Sequence, residues 1–167
     1  GSTVAIGSVG NDADYVTVVR HDGSSWQTIG NLSGSGNFGS SVSLSSDGEI
    51  LAVGANANSS TYGRTEIYQY SSGSNSWSQL GSDIDGEAQG DLFGASVSLS
   101  SDGSIVAVGG YHNDGNGIES GHVQVYQYSS GSWSQLGGDI DGEAAGDKFG
   151  VSVSLSSDGS IVAIGAN

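Results

Sequence analysis

The sequence contains no cysteine, no proline and no methionine, and only 3 of its 167 residues are lysine or arginine. Without cysteine there is no disulfide framework, no thiol nucleophile and no cysteine-bound zinc. Three basic residues cannot build a phosphate-binding surface, so we expect no nucleic-acid partner. No apolar run approaches the roughly 20 residues that cross a bilayer, so we expect no membrane insertion.

Acidic residues and glycine are what the sequence has in excess. It carries 18 aspartate and glutamate residues, a formal net charge of −15, and 30 glycines. Hydrophobic residues make up 35% of the chain, which still allows a packed core. The length by itself is typical of one domain.

A repeat of about 55 residues organises the chain. Phe-Gly recurs at Phe38, Phe93 and Phe149, at intervals of 55 and 56 residues, and each copy is followed by a Ser-rich run, a Ser-Asp-Gly turn and a short apolar run. We predict a single repeat domain over 1–167. Its approximate units are a partial unit at 1–37, full units at 38–92 and 93–148, and a partial unit at 149–167.

Each full unit contains four strand-like runs, which in the third unit lie at 96–100, 105–108, 122–128 and 132–136. Alternating polar and apolar residues indicate strands, and Ser-Asp-Gly indicates a tight hairpin between the first two. The pattern predicts an all-β fold of tandem four-stranded antiparallel blades of a β-propeller, with the repeated Phe and Trp packed between blades. A β-solenoid and a β-trefoil are the alternatives.

Three repeats are fewer than the about four to eight blades of ordinary propellers, so we expect an incomplete propeller as a single chain. The runs at 3–7 and 161–165 are the same kind of strand, so both ends expose unpaired strand edges that can join another chain. The expected partner is the remainder of a longer propeller or a second copy of this chain. Copies would form either a closed homo-oligomer or a head-to-tail filament.

The Phe-Gly pair, the Ser-Val-Ser-Leu that follows it and the later Gly-Ala, as at 149–155 and 165–166, resemble the FG-GAP repeat. That repeat is the blade unit of integrin α-subunit propellers and of many secreted repeat proteins. The Gly-Ala-Pro element itself lacks its proline here. The resemblance implies an extracellular or cell-surface location, a role in adhesion or ligand binding and often calcium, and it does not imply an enzyme.

Two similar acidic loops precede the second and third Phe-Gly pairs. Their carboxylates are Asp83, Asp85, Glu87 and Asp91 in the first loop, and Asp139, Asp141, Glu143 and Asp147 in the second. Alternate acidic positions in a glycine-containing loop can converge on calcium, which takes about six to eight oxygen ligands. Calcium is therefore the candidate cofactor. The alternative is a plain connection whose aspartates cap turns and stay solvated.

The histidines and tyrosines add no further site at this stage. His21, His112 and His122 show no metal-binding spacing, and we expect each to be solvated or to cap a turn. Alternating tyrosines such as Tyr126 and Tyr128 fit a carbohydrate platform or packing between blades, and packing is favoured.

The function predicted from the sequence is non-enzymatic. We expect an extracellular propeller repeat protein that serves adhesion or binds a protein or carbohydrate ligand, with calcium as its candidate ion. The alternative is a structural subunit that self-assembles and has no small-molecule ligand. No catalytic residue is assigned.

Overall fold

The structure is a computed structural model that describes residues 2–10, 13–56 and 62–167. Within these ranges the regular secondary structure is β-strand, and no helix there is long and apolar enough to cross a membrane. The strands are β1 (Thr3–Ser8), β2 (Asp14–His21), β3 (Trp26–Gly34), β4 (Phe38–Leu44), β5 (Ile50–Ala55), β6 (Arg64–Ser71), β7 (Ser76–Gln79), β8 (Ile84–Asp85), β9 (Ser96–Leu99), β10 (Ile105–Gly110), β11 (His122–Ser129), β12 (Ser132–Gln135), β13 (Ile140–Asp141), β14 (Ser152–Leu155) and β15 (Val162–Gly165).

The strands form four antiparallel sheets in chain order. The first sheet is β1-β2-β3, the second β4-β5-β6-β7, the third β9-β10-β11-β12 and the last β14-β15. The four runs predicted in the third unit are the four strands of the third sheet. The all-β blade architecture predicted from the repeat is therefore confirmed, and the sheets form an open row rather than a closed ring.

Two very short strands were not predicted. β8 pairs with the beginning of β6, where Ile84 lies opposite Thr65, and β13 pairs with the beginning of β11, where Ile140 lies opposite Val123. A run of two residues is too short to show alternation, so the sequence pattern does not reveal it. The pairing fixes each acidic loop against the third strand of its own blade.

The hydrophobic core lies between neighbouring blades. Between the first and second sheets, Val16 and Val18 of β2 pack with Phe38, Leu51 and Val53. A second cluster joins the second and third sheets, and it includes Ile67, Ile84, Phe93, Val106 and Trp133. The prediction that the repeated Phe and Trp pack between blades is confirmed for Phe38, Phe93, Trp77 and Trp133.

The glycine of each Phe-Gly pair lets two blade backbones approach closely. Gly94 has a φ of +87°, which favours glycine, and its carbonyl lies so close to Gly54 of the preceding blade that a side chain at Gly54 would collide with it. Gly150 and Gly109 repeat this contact at the next interface. Glycine at these positions is therefore needed for the close approach of neighbouring blades.

Serines on the first strand of each full blade bond to the next blade. The Ser41 hydroxyl donates to the Gly94 carbonyl at 2.8 Å, and the Ser43 hydroxyl accepts from the Leu99 amide at 3.0 Å. The next interface repeats both bonds, from Ser96 to Gly150 at 2.7 Å and from Leu155 to Ser98 at 3.0 Å. We call these four hydrogen bonds the serine ladder. They explain why serine alternates with apolar residues in these strands.

The Ser-Asp-Gly turns are held by their own side chains, as predicted. In the second blade, the Ser45 hydroxyl donates to Asp47 at 2.6 Å and accepts from the Ile50 amide at 2.9 Å. The same arrangement at Asp158 lowers the pKa of that carboxyl to about 2, through hydrogen bonds from the Ser156 hydroxyl and the Ser160 amide and hydroxyl. Each turn therefore contains a carboxylate that stays ionised in mild acid.

Candidate functional site

Both acidic loops run beside the start of the third strand of their blade because β8 and β13 pair there. In the second blade this brings Asp83 to 3.5 Å from the Nε of Arg64, whose Nε also lies 2.7 Å from Oε1 of Glu66. The Tyr68 hydroxyl donates to the other oxygen of Glu66 at 2.5 Å, and burial, this bond and the charge of Glu66 raise the pKa of Tyr68. One arginine thus compensates two carboxylates in this blade.

The other carboxylates of the first loop face different partners. Asp85 is exposed in β8, opposite Arg64. Asp91 is buried at 4% exposure and accepts a hydrogen bond from the Asn113 side chain at 2.8 Å. Glu87 extends toward the third blade and accepts from the Gln124 amide at 3.0 Å. The four carboxylates of this loop do not form one shell of oxygens.

The second loop is dispersed in the same way. Asp139 accepts hydrogen bonds from Gln124 and from Gln135 at 2.9 and 2.7 Å. Asp141 and Glu143 are exposed, and Asp147 caps its own loop by accepting from the Ala144 amide at 2.9 Å. Neither loop gathers the oxygen shell that calcium needs, and calcium binding by these eight residues stays a prediction.

The structure instead brings together one carboxylate from each loop and a histidine between them. Ligand atoms of Glu87, His122 and Asp139 all lie within 4.8 Å of one another, and Nδ1 of His122 is 3.6 Å from Oδ2 of Asp139. In the described ranges, this is the one group of three acidic, histidine or cysteine side chains whose ligand atoms lie this close together. Glu87 belongs to the connection between the second and third blades, and His122 and Asp139 belong to the third blade.

His122 is not a solvated or capping histidine, so that prediction was wrong. Its side chain is 0% exposed, and neither ring nitrogen has a hydrogen-bond partner. The ring packs edge-on against Phe93, with ring centres 5.9 Å apart. Gly110 leaves room for it, because a Cβ there would lie 2.9 Å from Nε2. Superposing the repeats in sequence would have placed His122 at the position of Arg64 and so indicated its location.

A buried glutamine orients the two carboxylates. Gln124 is 1% exposed, and its amide nitrogen donates to both Glu87 and Asp139. Its amide oxygen accepts from the Tyr126 hydroxyl at 2.7 Å. Burial, with the negative charges of Asp139, Glu87 and Asp85, raises the pKa of Tyr126 to about 12. The site is therefore held by a chain of hydrogen bonds that ends at a neutral phenol.

The tyrosines of the third strands pack on the repeated tryptophans. Tyr70 lies 5.3 Å from Trp77 and Tyr128 lies 5.2 Å from Trp133, measured between ring centres. Each pair joins adjacent strands of one sheet, so these two tyrosines pack on their own blade and not on the next one. An open cleft of about 240 Å³ lies beside them, with Asp83, Tyr126 and Trp133 in its wall.

Comparison with known proteins agrees with this geometry. The model of the FG-GAP repeat matches residues 83–126, which run from the first acidic loop through β11 as far as Tyr126. Residues 83–126 are therefore similar to the FG-GAP repeat. The resemblance seen in the sequence is thereby confirmed, and the matched segment contains both Glu87 and His122. None of the curated proteins matches the chain.

Solved structures similar to this chain show the same fold. TolB from Acinetobacter baumannii is 20% identical with a TM-score of 0.52, and the match covers 98% of this chain and 34% of TolB. Sqt1 from Saccharomyces cerevisiae is 18% identical with a TM-score of 0.53, over 86% of this chain and 33% of Sqt1. Hydrazine synthase from Kuenenia stuttgartiensis is 14% identical with a TM-score of 0.56, over 98% and 46%. The chain thus spans between a third and a half of these proteins, and the likeness is one of β-propeller fold.

Proposed function

We propose that this chain is a non-enzymatic binding module built of propeller blades, which acts in adhesion or ligand binding at the cell surface or outside the cell. The observation that carries the proposal is an exposed blade face on the last sheet. Every corresponding face inside the molecule is covered by the next repeat. The FG-GAP repeat and the propeller fold support a role in binding other proteins.

The internal interfaces show what such a face binds. Ile50, just 8% exposed, lies beneath the Ser-Asp-Gly turn of the next blade, where a Cβ on Gly103 would come within 2.7 Å of it. Ile105 lies beneath Gly159 of the last blade in the same way. The serine ladder runs beside both contacts. One blade face therefore combines an apolar contact with a row of hydroxyls.

On the last sheet the same elements are exposed. Ile161, which follows Ile50 and Ile105 in the repeat, is 67% exposed. Ser152 and Ser154, which correspond to ladder serines, are exposed as well. The face matches a further blade of this repeat type, supplied by a second copy or by the remainder of a longer propeller. Continuity with the internal interfaces is the reason for choosing this occupant.

Light scattering coupled to size-exclusion chromatography tests this proposal on the chain as it stands. We expect a mass above the monomer value of 16.6 kDa that rises with concentration. Ile161→Glu places a charge in the contact and should return the chain to the monomer. Ile118→Glu is the matched control, because Ile118 is 75% exposed in a loop away from this face. A monomer at every concentration would contradict pairing with a second copy and would leave the remainder of a longer propeller as the partner of this face.

A structural self-assembling subunit is the second candidate, and the same exposed face favours it. A contact that joins two different faces builds a filament when its geometry does not close. Electron microscopy of concentrated protein separates the two candidates, since filaments support the structural role and discrete particles support the binding module. A glycan array and calorimetry with calcium then test the ligand and the ion.

A further inference from the structure

We propose that Glu87, His122 and Asp139 bind a divalent transition-metal ion of the zinc class, which links the second and third blades. This site differs from the calcium loops predicted from the sequence, since it takes one carboxylate from each loop and a buried imidazole. It is also independent of the exposed face on the last sheet.

The distances within the cluster suit a shared ion. Zinc lies about 2.0–2.2 Å from nitrogen and oxygen ligands, so two ligands on one tetrahedral ion are roughly 3.3 Å apart. Nδ1 of His122 lies 3.6 Å from Oδ2 of Asp139, which is too long for a hydrogen bond and close to the spacing between two ligands. The three ligand atoms span no more than 4.8 Å. A small movement of the three side chains toward one another brings all three ligand atoms onto one ion.

The buried imidazole is the second reason to place a ligand here. A buried polar group without a partner is costly, and His122 has no partner at either nitrogen. Its Nδ1 faces the two carboxylates rather than a backbone group. A metal ion at this point satisfies Nδ1 and neutralises the carboxylates at once.

The surrounding hydrogen bonds resemble those that orient metal ligands in proteins. Gln124 donates to Oε1 of Glu87 at 3.0 Å and to Oδ1 of Asp139 at 2.9 Å, and Gln135 also donates to Oδ1 at 2.7 Å. These bonds fix one oxygen of each carboxylate. Oδ2 is then the Asp139 oxygen that faces His122. Such outer-shell partners set ligand geometry and tune metal affinity.

The two full blades differ in the residue that lies beside their carboxylates. In the second blade Arg64 occupies the position of His122, and its guanidinium lies between the carboxylates of Glu66 and Asp83. In the third blade, histidine replaces that arginine, while Asp139 keeps the place of Asp83 and Glu87 supplies the second carboxylate. A bound metal ion would supply the charge that Arg64 supplies in the second blade.

The donor set selects the class of ion. One imidazole and two carboxylates suit zinc and its neighbours, whereas calcium and magnesium prefer oxygen ligands throughout. Three protein ligands leave a fourth position for water on a tetrahedral ion. Zinc(II) and the spectroscopic substitute cobalt(II) are therefore the probes to use.

The test is calorimetry and thermal unfolding of the full chain with zinc, cobalt(II) and calcium, each with and without a chelator. We expect one zinc ion per chain, and a Tm raised by about 5–10 °C when free zinc is 100-fold above its Kd. Cobalt(II) should show the visible absorption of a low-coordinate site, and calcium should not compete for it. No heat and no change in Tm with either transition metal would overturn the proposal.

Two matched variants identify the site. Glu87→Gln should weaken zinc binding at least tenfold and leave the fold intact because Glu87 is exposed, whereas Glu143→Gln, at the same position of the second loop, should change nothing. His122→Arg reproduces the second blade, so it should abolish the zinc response and raise the Tm of the metal-free chain. Equal loss of binding in both glutamine variants would overturn the assignment.

Discussion

The serine ladder gives the sharpest prediction about what holds the blades together. In Ser98→Ala, the Leu155 amide loses the hydroxyl that accepts its hydrogen bond at 3.0 Å across the interface. A methyl group cannot accept this bond. Leaving a buried donor without a partner costs about 1–3 kcal/mol. Since this site is partly buried, we expect a loss of about 1–2 kcal/mol in the free energy of unfolding.

Urea unfolding followed by tryptophan fluorescence measures this loss. A destabilisation of about 1–2 kcal/mol corresponds to a Tm lowered by about 2–8 °C for a chain of this size. Ser43→Ala removes the equivalent acceptor of the Leu99 amide at the preceding interface and should behave in the same way.

Ser154→Ala is the matched control. Ser154 occupies the same position one repeat later, where its side chain is exposed on the last sheet. At a protein concentration at which the chain is a monomer, its substitution should stay within about 0.5 kcal/mol of the wild type, as ordinary surface changes do. Equal values for Ser98→Ala and Ser154→Ala would refute the view that hydroxyls bond the blades together.

Two more predictions concern the tryptophans and the turns. In urea unfolding, Trp133→Phe should lower the free energy of unfolding by about 1 kcal/mol more than Trp77→Phe. The reason is that Nε1 of Trp133 donates to the Leu80 carbonyl at 2.8 Å, whereas the buried Nε1 of Trp77 has no partner. Equal losses would contradict this. Hydrogen bonds from the Ser104 amide and the Ser100 hydroxyl hold the pKa of Asp102 below its ordinary value of 3.8. Its contribution is complete above that value and is lost as the pH falls below it. The Tm of Asp102→Asn should therefore fall less steeply than that of the wild type between pH 5 and pH 2, and parallel curves would rule this out.

The fold was predictable because one local pattern is repeated. Ser-Val-Ser-Leu, the Ser-Asp-Gly turn and the apolar run each have a period or a turn residue that indicates strand or hairpin, and three copies leave few architectures open. The same approach could not detect β8, because two residues, Ile84 and Asp85, are too few to show an alternating pattern. Pairing with β6 and the burial of Ile84 against the next blade stabilise that strand.

The candidate site was harder to predict, for a physical reason. The acidic residues were visible in each loop, and the natural hypothesis was that each loop closes on itself. In the structure Glu87 bonds to Gln124 and Asp91 bonds to Asn113, both in the third blade, so the grouping depends on how blades pack. His122 showed no local metal pattern because its neighbours in space are distant in sequence. Aligning it with Arg64 was the available signal.

The structure shows which groups lie beside the carboxylates in each full blade. One arginine, Arg64, offsets the charge of Glu66 and Asp83 in the second blade. The third blade has two carboxylates around a buried imidazole in the corresponding place. We infer that charge compensation at this position is common to both blades, while the source of the positive charge differs.

A binding role requires the last sheet to present the same face as each internal blade. The chain has no cysteine, so the variant Ser154→Cys carries a single thiol, and that thiol lies on this face. The rate at which it reacts with a thiol reagent can be measured at increasing protein concentrations. We expect this rate to fall several-fold as the concentration rises, while the rate for Ser72→Cys, in an exposed turn, stays constant. A rate at position 154 that does not change with concentration would contradict the claim.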